Sequence, residues 1–335
     1  MGKGKQAIKR SILAVFAAFP LIATAPPERP AEVESYFTDG VYDSANFGWL
    51  KGSFENATPD EKAVYETVEA WLDRCWEMGR QKALADLAER GVTVSDPARL
   101  HLGALECALI SSRPKTEHYA DYESLVATVE TTRPIFDALR AAAERASLII
   151  ADEDNLASRL ESRVLQEQLL RNAFAWAWSD QPGYPALTDQ QKPIFQALLS
   201  GETMRVDHEN TQWLKGVVER QGWPTVSLVG EAASKDAWLL VQHADQDPVF
   251  QLDVLRLMEP LVEAKEVSPR DFAYLYDRVM LPLTGKQRYA TQMWCKDGRM
   301  EPQPIEDEGA VEDLRKQMLL EPFAEYRTNF PETCG

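Results

Sequence analysis

Apolar residues recur at three- and four-residue spacing along most of this chain, and the polar breaks between the runs carry helix-start and helix-stop chemistry. Val64, Val68, Trp71, Leu72 and Cys75 form the first stripe, opened by Thr58-Pro59 as N-cap and first helical residue and closed at Gly91. Ser95, Asp96 and Pro97 predict a second helix start of the same kind. A third helix is predicted from about Tyr122 to Ile150, interrupted near Pro134, and a fourth over 155–178. Pro182 and Gly183 mark 180–184 as a loop.

The second half is punctuated more sharply. The stripe through Trp213, Leu214, Val217 and Val218 stops at Gly222, with Pro224 two residues on. A short helix is predicted over 234–244. Asp247-Pro248 opens another reaching about Lys265, and Ser268-Pro269, with Asp271 at N3, opens the one carrying Phe272, Leu275, Tyr276 and Val279. After Pro282 the period falls to two: Tyr289, Thr291, Met293 and Cys295 alternate with Ala290, Gln292 and Trp294, and Asp297-Gly298 follows. That predicts a β-hairpin near 288–303. The fold class is mainly α, a helical bundle or array with one small C-terminal β-hairpin.

The N-terminus changes the compartment in which this fold is expected to work. Lys3, Lys5, Lys9 and Arg10 precede an apolar run from Ile12 that closes on Ala23-Thr24-Ala25, the pattern of a secretory signal over 1–25, too short to span a bilayer. An uncleaved anchor, or cleavage a few residues away from Ala25, is the alternative; either way a periplasmic or secreted location is expected. The chain carries −17, and those first residues hold four bases and no acid, which leaves −21 on the remainder. Such a surface repels phosphate backbones, so nucleic acid is excluded as a partner. Pro26, Pro27 and Pro30 begin an extended lead-in over 26–57, followed by an N-terminal helical domain over 58–150 and a C-terminal one over 151–335.

Four cysteines in an oxidising compartment predict two disulfides. Cys295 with Cys334 ties down the tail and leaves Cys75 with Cys107. On a helix hairpin turning near Gly91, that second pair would differ in height by roughly 9 Å, so free buried thiols are the alternative there.

Several polar words stand inside segments too apolar to leave them in water: Gly222-Trp223-Pro224, Val229-Gly230, Gln242-His243-Ala244-Asp245, Gln251, Asp277-Arg278, Gln287 with Tyr289-Ala290-Thr291-Gln292, and Pro304-Ile305-Glu306-Asp307 leading to Arg315 and Glu321-Pro322. In order and spacing, over about residues 153–330, they resemble an uncharacterised bacterial family, the domain of unknown function 6624. The family usually has Gly where Ala290 stands and an arginine pair where Leu314-Arg315 stands. The resemblance implies a set of positions and no activity, and residues 28–150 fall outside it.

Burial carries the argument for a site. Ala237 to Val241 is apolar around the whole helix, and Gln242 and His243 continue directly from it. An amide or imidazole unpaired there would cost about 1 to 3 kcal/mol, so a hydrogen-bonded network is expected. Asp277, on the flank of the Phe272-Leu275-Tyr276-Val279 stripe, is placed to orient His243, and a carboxylate beside an imidazole raises its basicity. Against this, His243 can simply end its helix while Asp245 or Asp247 caps the next, and Asp277-Arg278 can be a structural ion pair. A metal site at His243, Asp245 and Asp247 lacks a recognised ligand spacing.

Familiar chemistries are missing. The chain has no His-Glu-x-x-His helix, Cys-x-x-Cys pair, Gly-x-Gly-x-x-Gly turn, Walker loop at Gly285-Lys286 or Gly-x-Ser-x-Gly elbow, and no cofactor or metal is expected. Ser112 and Lys115 have Ser-x-x-Lys spacing, but Pro114 opposes the helix it needs. Trp71, Trp76, Trp176 and Trp178 read as core, and Glu66, Glu69, Asp73 and Glu77 as a solvated helix face. Two functions follow. The favoured one binds a neutral polar or carboxylate-bearing ligand, or an envelope component, at Gln242, Gln251, Arg278, Gln287, Tyr289 and Gln292. The other is a hydrolase in which His243, oriented by Asp277 or Asp245, activates water beside Arg278. An enzyme requires His243 to open on a cleft with a carboxylate in reach.

Overall fold

The computed structural model describes residues 27–38, 41–100, 102–178 and 183–334, so the proposed signal over 1–25 and Pro182 of the predicted loop lie outside the described residues. In chain order the helices are α1 (Ala31–Glu34), α2 (Pro59–Glu89), α3 (Leu105–Ser111), α4 (Tyr122–Ile150), α5 (Leu156–Trp178), α6 (Gln191–Gln221), α7 (Val226–Val229), α8 (Glu231–Gln242), α9 (Pro248–Glu263), α10 (Pro269–Thr284), α11 (Val311–Gln317) and α12 (Phe323–Tyr326). Two antiparallel strand pairs accompany them, β1 (Phe37–Thr38) with β2 (Val41–Tyr42), and β3 (Met293–Lys296) with β4 (Arg299–Pro302). The molecule is mainly α with a small C-terminal hairpin. Among the described residues, no helix is long and apolar enough to cross a membrane.

Local chemistry explains most boundaries. Thr58 and Glu61 form a capping box at the start of α2, Asp247 accepts from Phe250 N at 3.0 Å to start α9, and Ser268 accepts from Asp271 N at 3.3 Å to start α10. Gly222 and Gly285 take positive φ just past α6 and α10, a backbone state in which a Cβ would clash. The hairpin turn has Asp297 at φ 51° and Gly298 at φ 77°, the left-handed pair that matches the twist of two flanking strands.

Four stretches depart from the sequence expectation. Pro134 does not interrupt α4: the carbonyl it leaves unpaired belongs to exposed Glu130, where water can reach it. Pro97 opens only a short 3-10 turn, because Leu100 and Leu102 are both drawn into the core, and α3 follows separately. The described residues of 27–57 are packed rather than extended, burying Val33, Phe47, Trp49 and Leu50. Tyr289 to Gln292 are not strand, since the backbone N–H groups of Arg288, Tyr289, Thr291 and Gln292 are taken by side chains and cannot join a ladder.

Both cysteine pairs are at disulfide distance, Cys295 with Cys334 at 5.8 Å and Cys75 with Cys107 at 6.3 Å between Cα atoms. Cys107 sits on α3, which crosses α2, so the height mismatch of a long hairpin does not arise.

Among the described residues, two buried clusters organise the interior, and both draw on residues from either side of Ile150. One gathers Trp49, Trp71, Phe136, Leu170 and Phe195; the other gathers Leu87, Leu214, Trp223, Ala237, Phe250, Met258 and Leu275. Three long helices pass through both. α2 gives Trp71 to one and Leu87 to the other, α5 gives Leu170 and Leu160, and α6 gives Phe195 and Leu214. Between the clusters each helix crosses a seam, and polar residues on the inward faces of α5 and α6 fall there.

Candidate functional site

The seam opens as a cleft of about 870 Å³. Its floor comes from α6 through Thr203, Asp207, His208 and Thr211, one wall from Arg171 and Phe174 of α5, and another from the turn between α8 and α9, His243 to Asp247. Phe37, Tyr42, Leu105 and Leu109 close it on the N-terminal side.

Helical periodicity brings acids to this place. On α5 the buried stripe runs Leu160, Glu167, Leu170, Ala173, so Glu167 occupies a core position and is 0% exposed. On α6, Asp207 follows the buried Val206 and lies a turn from buried Thr203, Asn210 and Thr211. His243 is the C-cap of α8, its N–H bonded back to Leu239 O, at the helix end where positive charge is favoured. Capping and site membership therefore coexist in this residue.

His243 Nδ1 lies 2.8 Å from Glu167 Oε1. A carboxylate only accepts, so Nδ1 carries the proton and Nε2 is left as the basic nitrogen. Gln168 Nε2 donates to the same oxygen at 3.1 Å, while Glu167 Oε2 is buried without a partner in the protein. Arg171 Nη2 donates to both oxygens of Asp207, at 2.8 and 2.6 Å, and its Nε is likewise buried and unpartnered. One donor atom each from Glu167, Asp207 and His243 falls within 4.8 Å of the others. Burial pushes the Asp207 carboxyl up to about 7 against the pull of Arg171, and the Glu167 charge pushes the same way. Burial also lowers His208 on the cleft floor.

Of the residues predicted from sequence, His243 and Asp245 line the cleft. Asp245 does not hold His243; it pairs with Arg278 on the surface, accepting from Nε at 3.0 Å and from Nη2. Gln251 is buried beneath that turn, donating to Val241 O at 3.0 Å and Asp245 Oδ1 at 3.3 Å. Gln242 keeps its Oε1 buried and unpartnered and is not part of the cleft wall.

Asp277 does not orient His243. It is fully buried and accepts from the backbone N–H groups of Arg288 (2.6 Å), Tyr289 (3.0 Å) and Thr291 (2.9 Å) and from Thr291 Oγ1 (2.9 Å). Gln287, also fully buried, donates to Gln292 O and Gln303 O and accepts from Gln292 N. Gln292 Nε2 donates to Thr291 Oγ1 at 3.2 Å, and Tyr289 is sealed edge-on against Tyr276 at 5.6 Å between ring centres. Arg315 caps the loop by donating to Tyr289 O at 2.7 Å. These residues form a knot that fastens the C-terminal segment, and none of them lines the cleft that His243 meets. Inside the knot Ala290 has φ 53°, the left-handed state that explains a glycine preference there.

Glu167, Arg171, Asp207 and His208 were not singled out by sequence reasoning. The available signal was a carboxylate standing at a core position of a helical stripe, once on α5 and again on α6.

The profile of a family of unknown function (DUF6624) matches residues 168–335, and the chain belongs to that family. Asp207 and His243 lie inside the match and Glu167 immediately before it. No curated protein and no solved structure matches the chain.

Proposed function

We propose that the protein is an exported hydrolase whose reaction centre is the His243, Glu167 and Asp207 cluster on the cleft wall. The observation that carries this is the 2.8 Å contact between His243 and the fully buried Glu167 at the edge of an open cleft. Binding without catalysis needs no oriented base, and a helix C-cap needs no buried carboxylate from another helix. Export is supported by the basic and apolar segment over 1–25 and by the two cysteine pairs.

The substrate class follows from the walls. Phe37, Tyr42 and Phe174 offer apolar faces, Arg171 brings a guanidinium to the wall, and the remaining lining is mixed in charge. This suits a polar ester or amide with an apolar side, neutral or bearing a carboxylate. Water gives a proton to His243 Nε2 as its oxygen bonds to the carbonyl carbon; the scissile C–O or C–N bond then breaks and the leaving atom takes that proton. Arg171, a cation of the cleft wall, would stabilise the oxygen on which negative charge develops.

A panel of chromogenic esters, amino-acid amides and cell-wall peptides, tested with the processed protein, decides the matter. Turnover that falls at least 100-fold in His243→Ala, with helicity and melting retained, is expected. Binding of panel members without turnover would replace the hydrolase by a ligand-binding role. Loss of the protein from the exported fraction on deleting 1–25 tests the location.

A further inference from the structure

We propose that Glu167, Asp207 and His243 form a binding site for a divalent transition-metal ion, zinc or manganese, at the seam between the two cores. In its catalytic role the proposal deepens the hydrolase reading and rests on it; the binding step stands on geometry alone.

The cluster is assembled by three separate helices, α5, α6 and α8, and brings one donor atom from each residue within 4.8 Å of the others. Metal to ligand bonds of about 2.0 to 2.2 Å place tetrahedral donors roughly 3.3 to 3.6 Å apart, so the cluster closes on an ion by shifts on the order of 1 Å. Two carboxylates and a neutral imidazole supply the two negative charges that balance a divalent ion. The mixed oxygen and nitrogen set favours zinc or manganese over calcium or magnesium, which take oxygen ligands.

A second observation points to a ligand independently. Glu167 is 0% exposed, yet its Oε2 has no partner in the protein, and nearby Arg171 Nε is also buried and unpaired. A buried carboxylate with half of its accepting capacity unused is costly unless a cation or an ordered water completes it. The outer contacts resemble those that steady metal ligands: Arg171 grips Asp207 through both oxygens, and Gln168 donates to Glu167. His243 and Asp207 also line the cleft, which leaves the open side of an ion to water and substrate. In that arrangement the ion would hold and acidify the attacking water, taking over the activation assigned above to His243 Nε2, which would be bound to the ion.

The test uses the processed protein stripped with chelator and titrated with zinc and then manganese, followed calorimetrically and by metal analysis after gel filtration. One equivalent is expected, with affinity reduced at least 100-fold in Asp207→Asn and in His243→Ala and unchanged in Asp137→Asn, a remote surface acid on α4. If a cluster variant fails to fold, cobalt loaded into the wild-type protein reports instead, since a histidine-coordinated ion gives a saturable visible absorption at one equivalent. Weak multi-site binding indifferent to the cluster variants, or no cobalt spectrum, overturns the ion site. Turnover that persists in stripped protein would then leave the His243 and Glu167 pair as the catalyst. Stoichiometric ion binding without turnover on any panel member keeps the site and removes the hydrolase.

Discussion

Glu167 of α5 and His243 at the end of α8 meet at 2.8 Å although 76 positions separate them in the chain. The carboxylate is fully buried and the imidazole lies on the cleft wall, so an interior charge is connected to solvent through one ring. Glu167→Gln keeps the volume but returns an amide whose nitrogen competes with Nδ1–H as a donor. Activity on any substrate found should fall by about 100-fold or more while the melting temperature holds or rises, because an incompletely satisfied buried charge is removed. Steady-state kinetics beside a thermal melt check this; unchanged kcat/KM would dismiss the pair as a working unit.

Asp277 predicts the opposite combination. Asn in its place offers one accepting oxygen and turns an NH2 group toward backbone donors, leaving buried N–H groups of 288–291 without partners. Asp277→Asn should destabilise the protein by about 3 kcal/mol in urea unfolding, and its effect on turnover should follow the fraction unfolded.

At Ala290 a methyl group is held at φ 53°. Ala290→Gly removes the left-handed penalty of about 1 to 2 kcal/mol at the expense of about 0.5 to 1 kcal/mol of chain entropy. A net gain of about 0.5 kcal/mol is expected from chemical denaturation, whereas Ala290→Val should lose stability.

Asp236 on α8 supplies a pH dependence. Burial, and then the Glu161 charge, push its carboxyl up to about 6, above its unfolded value near 3.8. The folded state therefore holds the proton more tightly. The penalty for ionising this group is absent below the unfolded value, grows as pH rises between the two, and is complete above about 6. Asp236→Asn should melt higher than the wild type at pH 7.5 and show little advantage at pH 3.5. Parallel melting curves that keep a constant gap across this range would remove Asp236 as the cause.

Reduction tests the cysteine pairs. Cys295 and Cys334 lie 39 positions apart, so opening this link should cost about 3 to 4 kcal/mol by loop entropy and release the tail from the hairpin. Hydrogen exchange at Arg299, Met300 and Glu301 should accelerate in Cys334→Ser while α6 stays protected.

Much of the fold was legible along the chain, and the reason is local. Thr58, Asp247, Ser268 and Gly222 act within a turn of their own positions, and Asp297-Gly298 closes a hairpin whose strands are adjacent in sequence. Where tertiary packing outweighed local preference, as at Leu100 and Leu102, or where solvent can take the carbonyl that Pro134 leaves unpaired, the expectation failed.

For the site, the words from Gln242 to Gln292 were read as buried polar groups; Gln251, Asp277 and Gln287 are buried and bond to neighbouring backbone, whereas Asp245 and Arg278 pair on the surface. Asp277 shows why the distinction was invisible: a buried carboxylate reads the same whether it serves an imidazole or four N–H and O–H donors. The sequence by itself determined the mainly helical class, most of the helix caps, the hairpin turn and the excess of negative charge, because each depends on spacing or composition. Only the tertiary structure decided that Glu167 and Asp207 join His243, since periodicity says which side of a helix faces inward and not which inward sides meet.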